Sequence, residues 1–409
     1  MTPGTAAPTS ALARLRALPH AGSMACAVLL IGLASSLTAP YLPLFGAQVA
    51  HMSPFALGAF MTLLALSSIV VSLQLGRVSD RLPSRKPVVL LTAAAATAGY
   101  VLLTTTTSYA LLCVIAAVFL GTGAASFPQL FAFTRTRFGD VPPALAEQGL
   151  TTLRSVFSLA WVVGPGVGAA VQGTLGFHGL FLMTAALYAA AGIVVLRSGA
   201  GTSTRTAPPP VQAAPAPAPT GRPPVWAVVS SFILYGTSMS MGFIALPLYV
   251  TLDLHLPRSD VGLLVGLCAL LEIPVMLSFV FLQRRATHQT LIVFAFGLFT
   301  VYFLTMALSN TLTPMLLAQI VRAVVIAIAA SLGMAYFQDL LPGRIGAATT
   351  LFVNTTSVGS VISGLVSGSV AQAYGYRAVF VLCAVLTAGA WLLLLLTARH
   401  ARRTAPLNA

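Results

Sequence analysis

Apolar positions in this chain run together for about 20 residues at a time, and the polar positions collect in short breaks between those runs. Wound as a helix, a run of that length crosses the hydrocarbon of a bilayer. Only helices and closed barrels satisfy their own backbone there, and these runs are too long and too uniformly apolar for barrel strands. The pattern predicts an all-α membrane protein. Reading runs against breaks places helices at 21–46, 54–76, 87–106, 109–134, 146–173, 178–197, 225–250, 259–282, 288–308, 312–338, 346–373 and 376–398, twelve transmembrane helices in all. The sixth and seventh are separated by 198–224, which holds Ala207-Pro208-Pro209-Pro210 and alternating Pro and Ala from Pro215 to Pro219. Such a stretch buries no core and reads as an extended linker.

The linker divides the chain into 21–197 and 225–398, two six-helix halves flanked by short segments at 1–20 and 399–409. The second half repeats the first. A shift of 204 residues carries Gly32, Pro43, Leu44, Phe45 and Gly58 onto Gly236, Pro247, Leu248, Tyr249 and Gly262. A shift of 200 carries Gly164, Gly168 and Gln172 onto Gly364, Gly368 and Gln372, and the turn Gly176-Phe177-His178 echoes Gly375-Tyr376-Arg377. Matching spacings in helices, prolines and loop aromatics point to duplication. Two such bundles related by an axis along the membrane normal resemble the major facilitator fold, in which a solute sits near the midplane and the halves rock about it.

Composition agrees with lipid as the solvent: 57% of residues are hydrophobic and 7% charged, with a mean hydropathy of +0.93. The net charge of +14 would suggest nucleic acid in a soluble protein, but its distribution says otherwise. With the N-terminus inside, Arg14, Arg16, Arg77, Arg81, Arg85, Lys86, Arg135, Arg137, Arg197 and most later basic residues fall on the cytoplasmic side; only Arg258 and Arg377 fall outside. The bias places both termini and the linker in the cytoplasm and removes the need for a nucleic-acid partner. Cys26, Cys113, Cys268 and Cys383 lie singly in separate helices and read as small packing residues. No cofactor, metal cluster or intramembrane protease motif is apparent, which argues against an enzyme.

Two motifs bear on mechanism. Gly76-Arg77-Val78-Ser79-Asp80-Arg81, followed by Arg85 and Lys86, resembles the major facilitator loop signature, with Pro83 where a second Gly is usual. Gly76, Asp80 and Arg81 are the candidate conformational latch, Asp80 being able to pair with cations at the membrane face. In the second half Asp80 and Arg81 map to Arg284 and Arg285, so the acid is missing there. Gly164-Pro165-Gly166-Val167-Gly168 resembles the Gly-Pro motif of facilitator exporters; Gly164 and Gly168 allow close helix approach and Pro165 permits a bend.

Ionisable residues inside spans are expensive and point to function. Arg154, Glu272 and Arg322 are the three. Glu272 and Arg322 fall at similar depth in the eighth and tenth helices, where they form a candidate proton-coupling pair, or else a static bridge. Arg154 maps onto Asn354 at the 200-residue shift.

Phe127-Pro128-Gln129-Leu130-Phe131-Ala132, Ser158-Leu159-Ala160-Trp161, Leu271-Glu272-Ile273-Pro274 and the run from Phe337-Gln338-Asp339 through Pro342-Gly343-Arg344 to Gly346-Ala347-Ala348-Thr349-Thr350-Leu351-Phe352 and Asn354 resemble the bacterial sugar efflux transporters of the major facilitator superfamily. That resemblance implies a monomeric inner-membrane exporter of sugars or glycosides, driven by proton antiport, with a neutral polar residue usual where Arg322 stands. Sugar hydroxyls require donors and acceptors beside an aromatic face. Tyr41, Gln129, Arg154, Trp161, Tyr235, Gln319 and Asn354 are the candidate substrate-binding residues. A drug/proton antiporter of the same fold is the alternative.

Overall fold

A computed structural model describes residues 20–139, 141–198, 224–282 and 287–404. The Pro/Ala-rich linker, Arg14, Arg16, Asp140, Arg284 and Arg285 lie outside the described residues. Among the described residues the apolar helices are α1 (Ala21–Gln48), α2 (Pro54–Arg81), the shorter α3 (Lys86–Leu102) and α4 (Tyr109–Arg137), then Pro143–Arg197, in which α5 is the part before Gly176 and α6 the part after it. The remainder are α7 (Val225–Asp253), α8 (Arg258–Leu282), α9 (His288–Leu308), α10 (Leu312–Leu340), α11 (Ile345–Tyr374) and α12 (Tyr376–Thr404). No helical hydrogen bonding distinguishes α5 from α6, but Gly176 sits between them at φ 66, ψ −169. Gly375 takes φ 82, ψ 169 between α11 and α12. Only glycine enters that backbone region readily, so the two pairs turn at equivalent glycines.

Several helices outrun their apolar stretches. The second span was expected to stop at residue 76, yet α2 continues to Arg81. Hydropathy marks where lipid ends; helical hydrogen bonding is indifferent to whether the next turn carries Arg.

The described chain forms two compact units: residues up to Ala39 together with Leu66 to 198, and Pro40–Ala65 together with 224 onwards. In the first, α1 packs on α5 through small residues. A Cβ at Gly32 would come within 2.8 Å of Ala160, and one at Gly164 would overlap Ser36. Ser36 Oγ donates to the Ala160 carbonyl at 2.9 Å. Ser35 meets the Tyr188 hydroxyl at 3.0 Å.

In the second unit, the core is aromatic. Tyr235 stacks on Phe296 with ring centroids 4.9 Å apart, and Phe232 meets Phe296 and Phe337 edge-on. The repeat is visible in backbone hydrogen bonds. Ala50 N donates to Phe45 O and Leu254 N to Tyr249 O, each at 3.0 Å; Met52 N donates to Gly46 O and Leu256 N to Val250 O, each at 2.9 Å. His51 and His255 both hold positive φ, 50 and 53, a conformation that histidine tolerates better than most residues. All three correspondences fall at the 204-residue shift.

Candidate functional site

The helix that positions most of the polar chemistry is α10, where Gln319 and Arg322 stand one turn apart on one face and are 0% and 5% exposed. Gln319 Nε2 is tied to the Met315 carbonyl at 3.0 Å, which leaves its Oε1 turned to the guanidinium: Arg322 Nη1 lies 3.5 Å away. The guanidinium carbon sits 5.9 Å from the centre of the Tyr302 ring on α9, within cation–π range. Tyr235 from α7, and Cys268 and Glu272 from α8, complete the surroundings, all within electrostatic reach of Arg322. Cys268 and Glu272 are one turn apart, so α8 presents both on the same side.

Glu272 and Arg322 feel each other's charge but are not in ion-pair contact. A buried cation without a touching acid is costly. Here a long hydrogen bond, an aromatic face and a carboxylate at a distance share the work of holding it. Glu272 is half-buried, so a modest displacement of α8 against α10 would make or lengthen the pair.

The first unit carries a second set. Ser126 and Gln129 lie one turn apart on α4, 1% and 4% exposed, and Ser126 Oγ and Gln129 Oε1 have no hydrogen-bond partner. They follow a π-type turn over Ala116–Leu120. Such a turn offsets one face of a helix and is frequent at functional positions. Arg154 is exposed and Trp161, seven residues on along α5, half-buried. Asn354 on α11 is exposed as well. Tyr41 is fully buried where α1 turns near its end.

At the candidate latch between α2 and α3, Asp80 forms an ion pair with Arg85, and Arg85 Nη1 also donates to Ser79 Oγ at 3.1 Å. Arg81 is exposed. A side chain at Gly76 would meet nothing within 4 Å. The pairing therefore bends the loop back on the end of α2. Lys86 Nζ donates to the Leu196 and Ser198 carbonyls, both at 2.8 Å, and so caps the end of α6. On α5, Gly164 and Gly168 are buried, and Pro165 has no N–H to offer the carbonyl four residues back.

Sequence reasoning missed Tyr302. It sits in Phe299-Thr300-Val301-Tyr302-Phe303, where one aromatic among several carries no signal of its own. Cys268, read as packing, lies beside the charged pair. Its spacing of four from Glu272 was the available clue.

The family model described as Major Facilitator Superfamily matches residues 24–317 and 228–409. A Deinococcus radiodurans protein assigned as a sugar efflux transporter is 46% identical over 385 residues, 94% of this chain and 99% of the relative. Sugar efflux transporter A of Dickeya chrysanthemi is 34% identical, covering 92% and 95%, and that of Escherichia coli 30%, covering 88% and 91%. Among solved structures, a mutant form of the nucleoside transporter NupG superposes with TM-score 0.77 at 14% identity, covering 92% of this chain and 99% of that one. A bacterial homologue of the lysosomal transporter Spinster gives 0.71 at 12% identity, covering 98% and 100%. The chain belongs to the major facilitator superfamily, together with its sugar efflux transporters.

Proposed function

We propose that this member of the major facilitator superfamily exports sugars or glycosides from the bacterial cytoplasm in exchange for protons. The observation that carries the reading is the ring of Tyr235, Glu272, Tyr302, Gln319 and Arg322: hydrogen-bonding groups for hydroxyls, aromatic faces for C–H surfaces, and one carboxylate within electrostatic reach of one guanidinium. The full-length likeness to relatives named sugar efflux transporters supports the substrate class.

In this reading the halves 21–197 and 225–398 rock about a midplane site. Gln129, Arg154, Trp161, Asn354 and Tyr41 contribute further sugar contacts. Glu272 carries the proton. Ionised, it offsets the Arg322 charge; protonated, it leaves that charge uncompensated, so proton uptake favours a different spacing of α8 and α10. Asp80 with Arg85 holds the cytoplasmic loop, Gly164-Pro165 lets α5 bend against α1, and the protein works as a monomer in the inner membrane.

Inside-out vesicles containing the protein should accumulate labelled glucoside or lactose when energised to an acidic interior, and lose the accumulation with a protonophore. Accumulation of a lipophilic cation such as ethidium, with no movement of sugar, would establish the drug/proton antiporter instead. No accumulation of any sugar in vesicles of either orientation would end the proposal.

A further inference from the structure

Part of the ring around Arg322 is committed to holding it. Gln319 spends Nε2 on the Met315 carbonyl, turns Oε1 to Arg322 Nη1 and lies within hydrogen-bonding reach of the Tyr302 hydroxyl. Tyr302 gives the guanidinium a ring face, with its carbon 5.9 Å from the centroid. The other two nitrogens of Arg322, Nε and Nη2, are not engaged. Among the described residues neither has a hydrogen-bond partner, and neither is sealed away from an approaching molecule. Together they form the side edge of the guanidinium, whose two N–H bonds run parallel. That edge grips both oxygens of a carboxylate.

Charge makes the same point. Arg322 is buried, and the ion pairs among the described residues, Asp80 with Arg85 and Asp339 with His288, involve other side chains. Glu272 is the one acid within electrostatic reach, and it makes no contact. Water can satisfy an N–H, but it does not supply the counter-charge that a buried cation requires. A cation held at Nη1 and at its face, with the two-pronged edge open, is arranged for an anion that comes and goes.

We infer that the sugar this protein exports carries a carboxylate, as a uronate or a glucuronide does, and that the Nε–Nη2 edge of Arg322 binds it. The inference rests on the sugar-export reading above and narrows its substrate class. A single negative charge suits the ring. With Glu272 ionised, the carboxylate and the guanidinium of the protein cancel, and a sugar carboxylate adds one charge that the open edge meets directly. A phosphate ester adds up to about two, and the second has no partner. The sign also suits the exchange. A monoanion leaving for one entering proton moves two charges in the direction that an inside-negative membrane drives, where a neutral sugar moves one.

The test is the binding of matched ligands to the full chain in nanodiscs, by titration calorimetry at neutral pH. Methyl glucuronide and methyl glucoside differ only at one carbon, a carboxylate in the first and a hydroxymethyl group in the second. The glucuronide should bind roughly ten- to a hundred-fold more tightly, the range expected for hydrogen bonds to a charged group. In R322Q the preference should disappear. R322K keeps the charge without the fork and should retain part of it. Each ratio is taken on one protein, so loss of folded material affects both ligands alike. Equal affinity of the unaltered protein for the two ligands overturns the inference and leaves sugar export standing. A preference that survives in R322Q overturns the assignment to Arg322, and tighter binding of glucose 6-phosphate than of the glucuronide overturns the carboxylate. If neither sugar binds, and inside-out vesicles accumulate neither, the sugar-export reading falls and the inference with it. Should R322Q fail to fold, the ratios for the unaltered protein and R322K decide.

Discussion

At the scale of single residues, the question is why Arg322 is tolerated. It is 5% exposed, and a buried guanidinium without a touching carboxylate is a net cost that a Met of similar length would avoid. If the charge serves only packing, R322M should lose stability through the lost Gln319 and Tyr302 contacts. If it serves transport, R322M should be as stable as the parent or more stable, by up to about 4 kcal/mol, while pH-driven sugar accumulation disappears. The companion variant E272Q should also abolish accumulation driven by a pH gradient, yet keep sugar counterflow, which needs binding and rocking but no net proton movement. Accumulation against a gradient by E272Q would assign Glu272 to binding or structure alone. The charged members of this ring were legible in the sequence because each stands out against an apolar span. Tyr302 was not, since its neighbours Phe299 and Phe303 make the same hydropathic impression. Only the packing of α9 against α10 brings its ring over Arg322.

At the scale of helices, the informative positions are glycines, of two kinds. Gly176 and Gly375 hold positive φ with ψ near 180°, so the cost of adding a side chain there is backbone strain. G176A and G375A should each lower stability by about 1–3 kcal/mol, read by thermal unfolding in detergent. Gly166 lies inside α5 with nothing within 4 Å of an added Cβ, and G166A should be neutral or stabilising by up to about 1 kcal/mol. Equal losses at all three would mean that strain is not what the turns depend on. In the sequence, the repeat of Gly176-Phe177-His178 in Gly375-Tyr376-Arg377 marks the two turns. The close approach of Gly32 to Ala160 was harder to foresee. A glycine spaced four from the next can face lipid or a partner equally well, and the apolar pattern is the same on every side of such a helix.

At the scale of the whole molecule, hydropathy alone made the fold class legible, because lipid forces each span to satisfy its own backbone. Helix ends were less legible: α2 carries Arg77 to Arg81 as a continuous helix beyond the apolar run. Orientation is an electrostatic matter and sits in the loops. Arg77, Arg81, Arg85, Lys86, Arg135, Arg137 and Arg197 lie at the same ends of their helices, the ends that also carry the Asp80–Arg85 pair. The opposite ends, at the His51 and His255 turns, offer Arg258 and Arg377, each engaged by a neutral side chain: Gln48 for Arg258 and Asn310 for Arg377. Retention of basic loops on the cytoplasmic side predicts a topology with both termini and the 198–224 linker inside. Alkaline phosphatase fused after Ala213, or at the C-terminus, should be inactive, and green fluorescent protein at the same positions should fluoresce. An alkaline phosphatase fusion after His51 should be active. An active phosphatase at Ala213 would reverse the assignment of faces. Activity at Ala213 but not at the C-terminus would require an odd number of crossings between them and would break the division into six and six.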